Sequence, residues 1–238
     1  MSAPAMAPAR SGMVGVASGL GVAPADRARV LPVHPVLEDL FPWGGLRRGS
    51  TVAVRGSTSL LLALLAEATA AGSWAGVVGM PHLGVLAAAE LGVAVDRLAL
   101  VPGPASQLSP VVAALLDGLD LVVVATGETG GRITEAHARR LSARARHRGA
   151  VLLPFGPWPG ADLELTCEPA AWTGTGRGAG HLRQRQVTVR TRGRGAAARP
   201  ARANLLLPAP DGSIQPASPT RERRVEPREH RLRLLASY

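Results

Sequence analysis

The sequence predicts an α/β fold, with a mainly parallel central sheet flanked by helices, antiparallel strands at its C-terminal side, and flexible tails. Three observations predict it. Between residues 51 and 155, short strand-like runs alternate with longer helix-like ones. The strand-like runs, such as 119–125 (LDLVVVA), are apolar without a period of two, as expected of strands covered on both faces. From residue 162 onward, strand-like runs follow one another with only Gly- and Arg-rich turns between them, which predicts antiparallel neighbours.

Residues 1–29 are rich in Ala, Pro, Gly and Ser and read as a flexible tail. Residues 51–55 (TVAVR) are a β-branched strand ending at Gly56, and 60–71 is a buried helix. Strands follow at 75–78 (AGVV), 98–101, 119–125 and 151–155. Helices lie between them at 83–91, 107–117 and 133–148, stopped by Gly92, Gly118 and Gly149, since glycine readily takes the left-handed conformation that ends a helix. In the last helix Ile133, His137, Leu141 and Ala145 form an apolar stripe, with His137 packed on the sheet and five arginines around it. Residues 163–167, 182–189 and 204–207 are the antiparallel strands. Prolines at 208, 210, 216 and 219 mark a linker. The organisation is thus a tail (1–29), a core (30–207), and a Pro-rich linker with an Arg-rich tail (208–238).

Composition removes several chemistries. The chain has 238 residues, 46% hydrophobic and 3% aromatic, enough for one sizeable core. All 27 basic residues are arginine, so there is no phosphate-loop lysine, Schiff-base lysine or lysine general base. The single cysteine, Cys167, excludes an intrachain disulfide and a cysteine-rich zinc site, and suits a reducing compartment. No stretch approaches ~18 consecutive apolar residues, and 13–25 is too Gly- and Ala-rich for a leader, so the expectation is a cytoplasmic protein with no membrane contact. The net charge of +10 is uneven. Residues 1–176 balance 13 arginines against 13 acids, whereas 177–202 hold eight arginines and no acid. Such asymmetry predicts a polyanionic or acidic partner.

The ordered set Gly45-Leu46-Arg47-Arg48-Gly49, a strand, Gly56, a helix, a strand, then Leu91-Gly92-Val93 with Asp96 resembles the RecA-family ATPase core over roughly 30–207. Against that pattern the nucleotide machinery is degenerate. A phosphate loop needs G-x-x-x-x-G-K-[S/T], its backbone N–H groups cradling phosphates while Lys and a hydroxyl serve oxygen and Mg²⁺. Here Gly56-Ser57-Thr58-Ser59 runs straight into leucines, about three residues short and without the second Gly. The resemblance puts Ala125 where the metal-holding Asp belongs and Met80 at the catalytic Glu position, with Asp120 at the wrong end of its strand. No cofactor and no catalytic residue are expected. Gly56 to Ser59 read as a degenerate loop, most simply a turn with a Ser/Thr cap.

Within that superfamily, 33–68 (VHPVLEDLFPWGGLRRGSTVAVRGSTSLLLALLAEA) and 139–165 (RRLSARARHRGAVLLPFGPWPGADLEL) resemble the actinobacterial ImuA-type accessory proteins of the mutasome. The resemblance implies a non-catalytic adaptor in an SOS-induced translesion synthesis and mutagenesis complex. Its partners would be an ImuB-type pseudo-polymerase and, through the complex, an error-prone replicative-type polymerase, with RecA or DNA as further partners. An alternative class is a SulA-like cell-division inhibitor binding an FtsZ-type protein. A third is a nucleotidase using Arg47, Arg48 or Arg55 in place of lysine.

Arg183, Arg185, Arg190, Arg192 and Arg194 are candidate contacts to DNA or to a partner; the plainer reading is an edge kept from aggregating by charge. No aromatic lies between 173 and 237, so any DNA contact there is expected to run through the backbone and to be salt-sensitive. Leu232, Leu234, Leu235 and Tyr238 are candidate partner contacts of a tail that orders on binding. Phe41, Trp43 and Trp158 are expected in the core or at its rim. Asp162 and Glu164 share one strand face with nothing beside them to polarise a substrate.

Overall fold

A computed structural model describes residues 29–104, 107–127, 133–176 and 179–217. Its opening segment pairs β1 (Val30–Leu31) with β2 (Leu46–Arg47), antiparallel, around a one-turn helix α1 (Pro35–Glu38). Then come β3 (Val52–Arg55), α2 (Thr58–Ala70), β4 (Ala75–Val78), α3 (Val85–Glu90), β5 (Leu98–Val101), α4 (Leu108–Leu116), β6 (Leu121–Ala125), α5 (Glu135–Arg148) and β7 (Val151–Phe155). The chain ends in four further strands: β8 (Leu163–Gly176), β9 (Ala179–Gly193), β10 (Arg202–Leu206) and β11 (Gln215–Pro216). Nine strands form one sheet in the order β11-β10-β9-β8-β3-β7-β6-β4-β5. Pairing is parallel from β5 through β8 and antiparallel from β8 through β11, as the sequence rhythm predicts.

The central strands β4, β6 and β7 are apolar throughout because both faces are covered. One face carries α2 and α3: Leu60, Leu61, Leu64 and Leu65 are fully buried against Val54, Val77, Val123 and Leu153. The other carries α4 and α5, with Val112, Leu116, Ala138 and Leu141 packed on Val122, Val124 and Leu152. Phe41 is buried in the first cluster, and Trp43 packs at its margin. Trp158 is buried in the second, its indole N–H donating to the Ser142 hydroxyl at 3.1 Å, which also accepts from Thr51 Oγ1 at 3.0 Å. Outside the sheet, Asp117 at the end of α4 accepts from Arg144 and from Arg148 (3.0 Å) on α5. The Arg144 hydrogen bond holds the Asp117 carboxyl below its usual range.

Four expectations are corrected. His137 is exposed; Ala138 takes its place in the buried stripe with Leu141 and Ala145, while Ile133 packs at the margin. The helix runs from its Thr134 cap, which accepts from His137 N, to Gly149 at φ 70°, and its buried positions 138, 141 and 145 follow i, i+3, i+7 spacing instead of successive steps of four. The hairpin β8–β9 runs far beyond 163–167 and 182–189, because register slips between Pro169 and Ala171 and between Thr173 and Thr175 absorb residues that look like strand breakers. The α2 helix starts at Thr58, not residue 60.

The fourth concerns 208–217, which is no linker. Leu207, Ala209 and Ile214 are buried, Ala209 N–H bonds Ser213 O, and β11 pairs with β10. A chain ending at 207 is therefore expected to melt below one ending at 217. Losing Ile214 burial and the β11 ladder removes about 3 kcal/mol, or roughly 6–12 °C at this size, readable by thermal unfolding of the two truncations.

Candidate functional site

In a sheet of this topology a ligand crevice forms beyond the carboxyl ends of the parallel strands. Here β3 is followed by Gly56, β4 by Gly79 and β7 by Gly156, while β6 ends at Ala125. Gly56 has φ +85°, and a β-carbon on it would stand 2.2 Å from the Cys167 carbonyl oxygen of β8. Ser57 follows at once as the α2 cap, buried, its hydroxyl accepting from Leu60 N at 3.2 Å. The loop is thus pressed flat onto β8, and its capping N–H is already satisfied. Thr58 and Ser59 lie in the first turn of the helix, with Thr58 on the rim of a cavity of about 460 Å³.

That cavity is otherwise lined by Gly79, Met80, Pro81, His82, Leu83 and Phe155. Among the described residues His82 is its one titratable lining group. Met80 is half-buried and packs against the core. Ala125 is fully buried, and Gly79 comes close enough that a β-carbon there would stand 3.5 Å from the Ala125 methyl. These are the positions to which the RecA-family resemblance of the sequence assigns a base and a metal-holding carboxylate.

Asp120 sits at the other end of β6. One of its oxygens accepts from Arg48 at 2.8 Å and the other from Trp74 N at 2.9 Å. Burial works to raise this carboxyl, but the Trp74 N–H and the Arg48 guanidinium together hold it below the usual carboxylate value. The three arginines considered as lysine substitutes are all engaged elsewhere. Arg47 lies 5.1 Å from the Trp43 ring centroid, Arg48 on Asp120, and Arg55 on Glu164 at 3.1 Å.

The five candidate arginines, four on β9 and Arg194 just after it, do not share one surface. Arg190 and Arg192 pair across from Thr166 and Glu164, on the sheet face that α5 leaves uncovered; Arg190 also bonds Glu168 at 3.1 Å. Arg185 takes the opposite side, where Val187 and Val189 are buried, and sets its guanidinium 5.7 Å from the Trp172 ring centroid. Arg183 is exposed. Arg194 leaves the strand and turns toward the amino-terminal pole of the sheet, its N–H bonded to Asp162 O. Leu232, Leu234, Leu235 and Tyr238 lie outside the described residues. Among the described residues, no group of His, Cys, Asp and Glu side chains could hold a metal ion, and no helix is long and apolar enough to cross a membrane.

Cys167 is the site residue that sequence reasoning passed over. No local signal marks it, because its contact with Gly56 spans more than a hundred residues of chain. Burial pushes its thiol up, against the Ser57 hydroxyl and the Arg185 charge, which act the other way. Two outcomes follow. Gly56→Ala, forcing a β-carbon into the Cys167 carbonyl at positive φ, should cost about 2 kcal/mol or more in urea unfolding. The folded state holds the thiol protonated, so this contribution is complete below the unfolded value near 9.0 and declines as pH rises past it. With no lysine to mask it, that alkaline limb should appear in a stability–pH profile and flatten in Cys167→Ala.

With this geometry in hand, known proteins of similar sequence and fold can be placed beside it. The flagellar accessory protein FlaH from Methanocaldococcus jannaschii superposes with a TM-score of 0.57 at 11% identity, over 80% of this chain and 99% of its own. At that identity the likeness is one of fold, the RecA-like fold that the motif order implied. The uncharacterized protein Rv3395c of Mycobacterium tuberculosis is 45% identical over 130 residues, 53% of this chain. The match spans 63% of that protein's length. A family model described as the MT3502 N-terminal domain matches residues 39–160, which is the parallel half of the sheet and leaves β8–β11 outside. The chain belongs to that MT3502 N-terminal domain family.

Proposed function

We propose that the protein is a non-catalytic RecA-like adaptor of the ImuA type, working in a damage-induced translesion synthesis complex. In this reading it binds an ImuB-type pseudo-polymerase and, through the complex, serves an error-prone replicative-type polymerase, with RecA and DNA as further partners. The observation that carries the non-catalytic half is the carboxyl edge of the sheet. Phosphoryl transfer runs on preorganised charge around the transferring group. At this edge the loop is closed by the Gly56–Cys167 contact, and Met80, Leu83 and Phe155 line the crevice. The arginines that could replace lysine are tied to Trp43, Asp120 and Glu164.

The ImuA half is supported by the quoted stretches at 33–68 and 139–165, which overlap the segment that fits the family model. A platform of this kind acts through its surface, so its specificity should lie in exposed side chains and not in the crevice.

The full chain is expected to show no Mg²⁺-dependent ATP turnover above buffer, and Arg55→Ala should leave that baseline unchanged. Used as bait in damage-treated cells of its source, it should recover an ImuB-type polymerase. Turnover abolished by Arg55→Ala would reverse the non-catalytic reading. Recovery of neither a polymerase nor RecA would reverse the adaptor reading.

A further inference from the structure

The strongest unassigned feature lies at the amino-terminal pole of the sheet, opposite the crevice. A cleft of about 310 Å³ opens there between the β2–β3 turn, the last turn of α5 and the β9–β10 turn. Four arginines line it: Arg47, Arg48, Arg146 and Arg194. They come from three separate stretches of chain, and the backbone fixes each approach. At Gly49 (φ +79°) a β-carbon would stand 3.2 Å from Arg146 Cα, so the turn carrying Arg47 and Arg48 lies directly on α5. Arg194 is fixed by its own N–H, which bonds Asp162 O at 3.1 Å.

The local carboxylates do not neutralise this cluster. Asp162 spends one oxygen on Thr51 N at 2.9 Å and meets Arg146 only loosely, at 3.6 Å. Asp120 takes Arg48. With both acids counted, the cleft keeps a charge of +2. The carboxyl end of α5 brings roughly half a negative charge, too little to cancel it. Arginine forks match the oxygens of a phosphate and stay charged at any working pH.

We propose that this cleft is a phosphate site that takes the phosphodiester backbone of a nucleic acid strand. Three features favour a strand over an isolated anion or a stacked base. The cleft is open, and Arg194 also lines a second cavity, of about 220 Å³, together with Arg192 and Glu164, so the basic path continues toward the open sheet face. The Trp43 ring is half-buried against the core and has Arg47 over one face, which leaves backbone charge, not stacking, as the contact. Arg199, exposed in the β9–β10 turn that borders the cleft, extends the same field. The site gives the DNA contact of the adaptor reading a place in the fold, and because it uses none of the crevice and no protein partner the two can fail separately.

The test is fluorescence anisotropy of the full chain with a labelled 20-nucleotide single strand of random sequence, across a salt series. Arg146→Ala/Arg194→Ala is compared with Arg139→Ala/Arg140→Ala, which removes equal charge from the exposed side of α5. The cleft variant should bind at least fivefold more weakly, with a log–log salt slope shallower by about 1.4, near 0.7 for each lost phosphate contact. The control should stay within twofold of the parent, and melting curves should show both variants folded. Equal weakening in the two variants, or none in either, overturns the proposal. Displacement of the strand by polyglutamate at equal charge concentration would make this a site for an acidic protein, and binding of pyrophosphate as tightly as the strand would make it a free-anion site. Either overturns the assignment. Loss of strand binding in the cleft variant with polymerase recovery intact would uphold it apart from the adaptor reading.

Discussion

The all-round burial of α2 is the constraint from which the rest of the molecule follows. Leu60, Leu61, Leu62, Leu64 and Leu65 are each no more than 3% exposed. The sheet covers one side of the helix, and Leu31, Leu37, Phe41 and Leu46 of the opening segment join the same cluster on the other. Five buried leucines contribute on the order of 10 kcal/mol, far more than any surface pairing in the structure. A helix apolar on every side must enter its slot directly. That is why Ser57 caps it one residue after Gly56, and why the loop lies flat on the Cys167 carbonyl. The missing phosphate nest and the buried helix are one structural fact: lengthening the loop to expose N–H groups would lift the first leucines out of the core.

Burial at the carboxyl edge is matched by polar joints at the opposite pole. Asp120 ties Arg48 to the start of β4 through Trp74 N–H, and Asp162 ties the start of β3 to α5. Thr51, Ser142 and Trp158 complete a hydrogen-bonded seam between strand, helix and loop. Charged groups are thus concentrated where the fold ordinarily places no ligand, and among the described residues the ordinary crevice is mostly apolar, with Thr58 and His82 its polar lining. In terms of the general rule for α/β sheets, the chemistry-bearing side chains have changed ends.

The parallel half of this fold was legible because its signals are local. Strands 75–78, 98–101 and 151–155 coincide with β4, β5 and β7, and helix ends fall within two residues where a glycine or a threonine caps them. Three things were not legible, each for a stated reason. The choice between His137 and Ala138 depends on whether the stripe steps by four or by three before Leu141, and both steps lie on one helical face. The length of β8–β9 was hidden by Pro169 and the glycines, which bulges tolerate in an antiparallel pair. The fold-back at 208–217 was hidden because prolines read as a linker until Ile214 is seen in the core. For the site, the missing lysine, Ala125 and Met80 were readable from sequence. The meeting of Arg47, Arg146 and Arg194 was not, since it joins residues about 100 and 50 apart.

Arginine count alone also misjudges the C-terminal third. An antiparallel extension that no helix covers must present a polar free face, and on β8–β10 that face carries Glu164, Thr166 and Glu168 against Arg192, Arg190 and Thr188. There Arg190 answers Glu168 and Arg55 answers Glu164, so their first duty is to solvate and cross-link the strands; at half exposure such pairs are worth little individually. Arg194 differs because the chain turns at Gly195, sending its side chain off the face and into the cleft with Arg47, Arg48 and Arg146. Spacing along β9 made these arginines look equivalent. Which carboxylate each one meets is what separates a solvated sheet from a charged cleft.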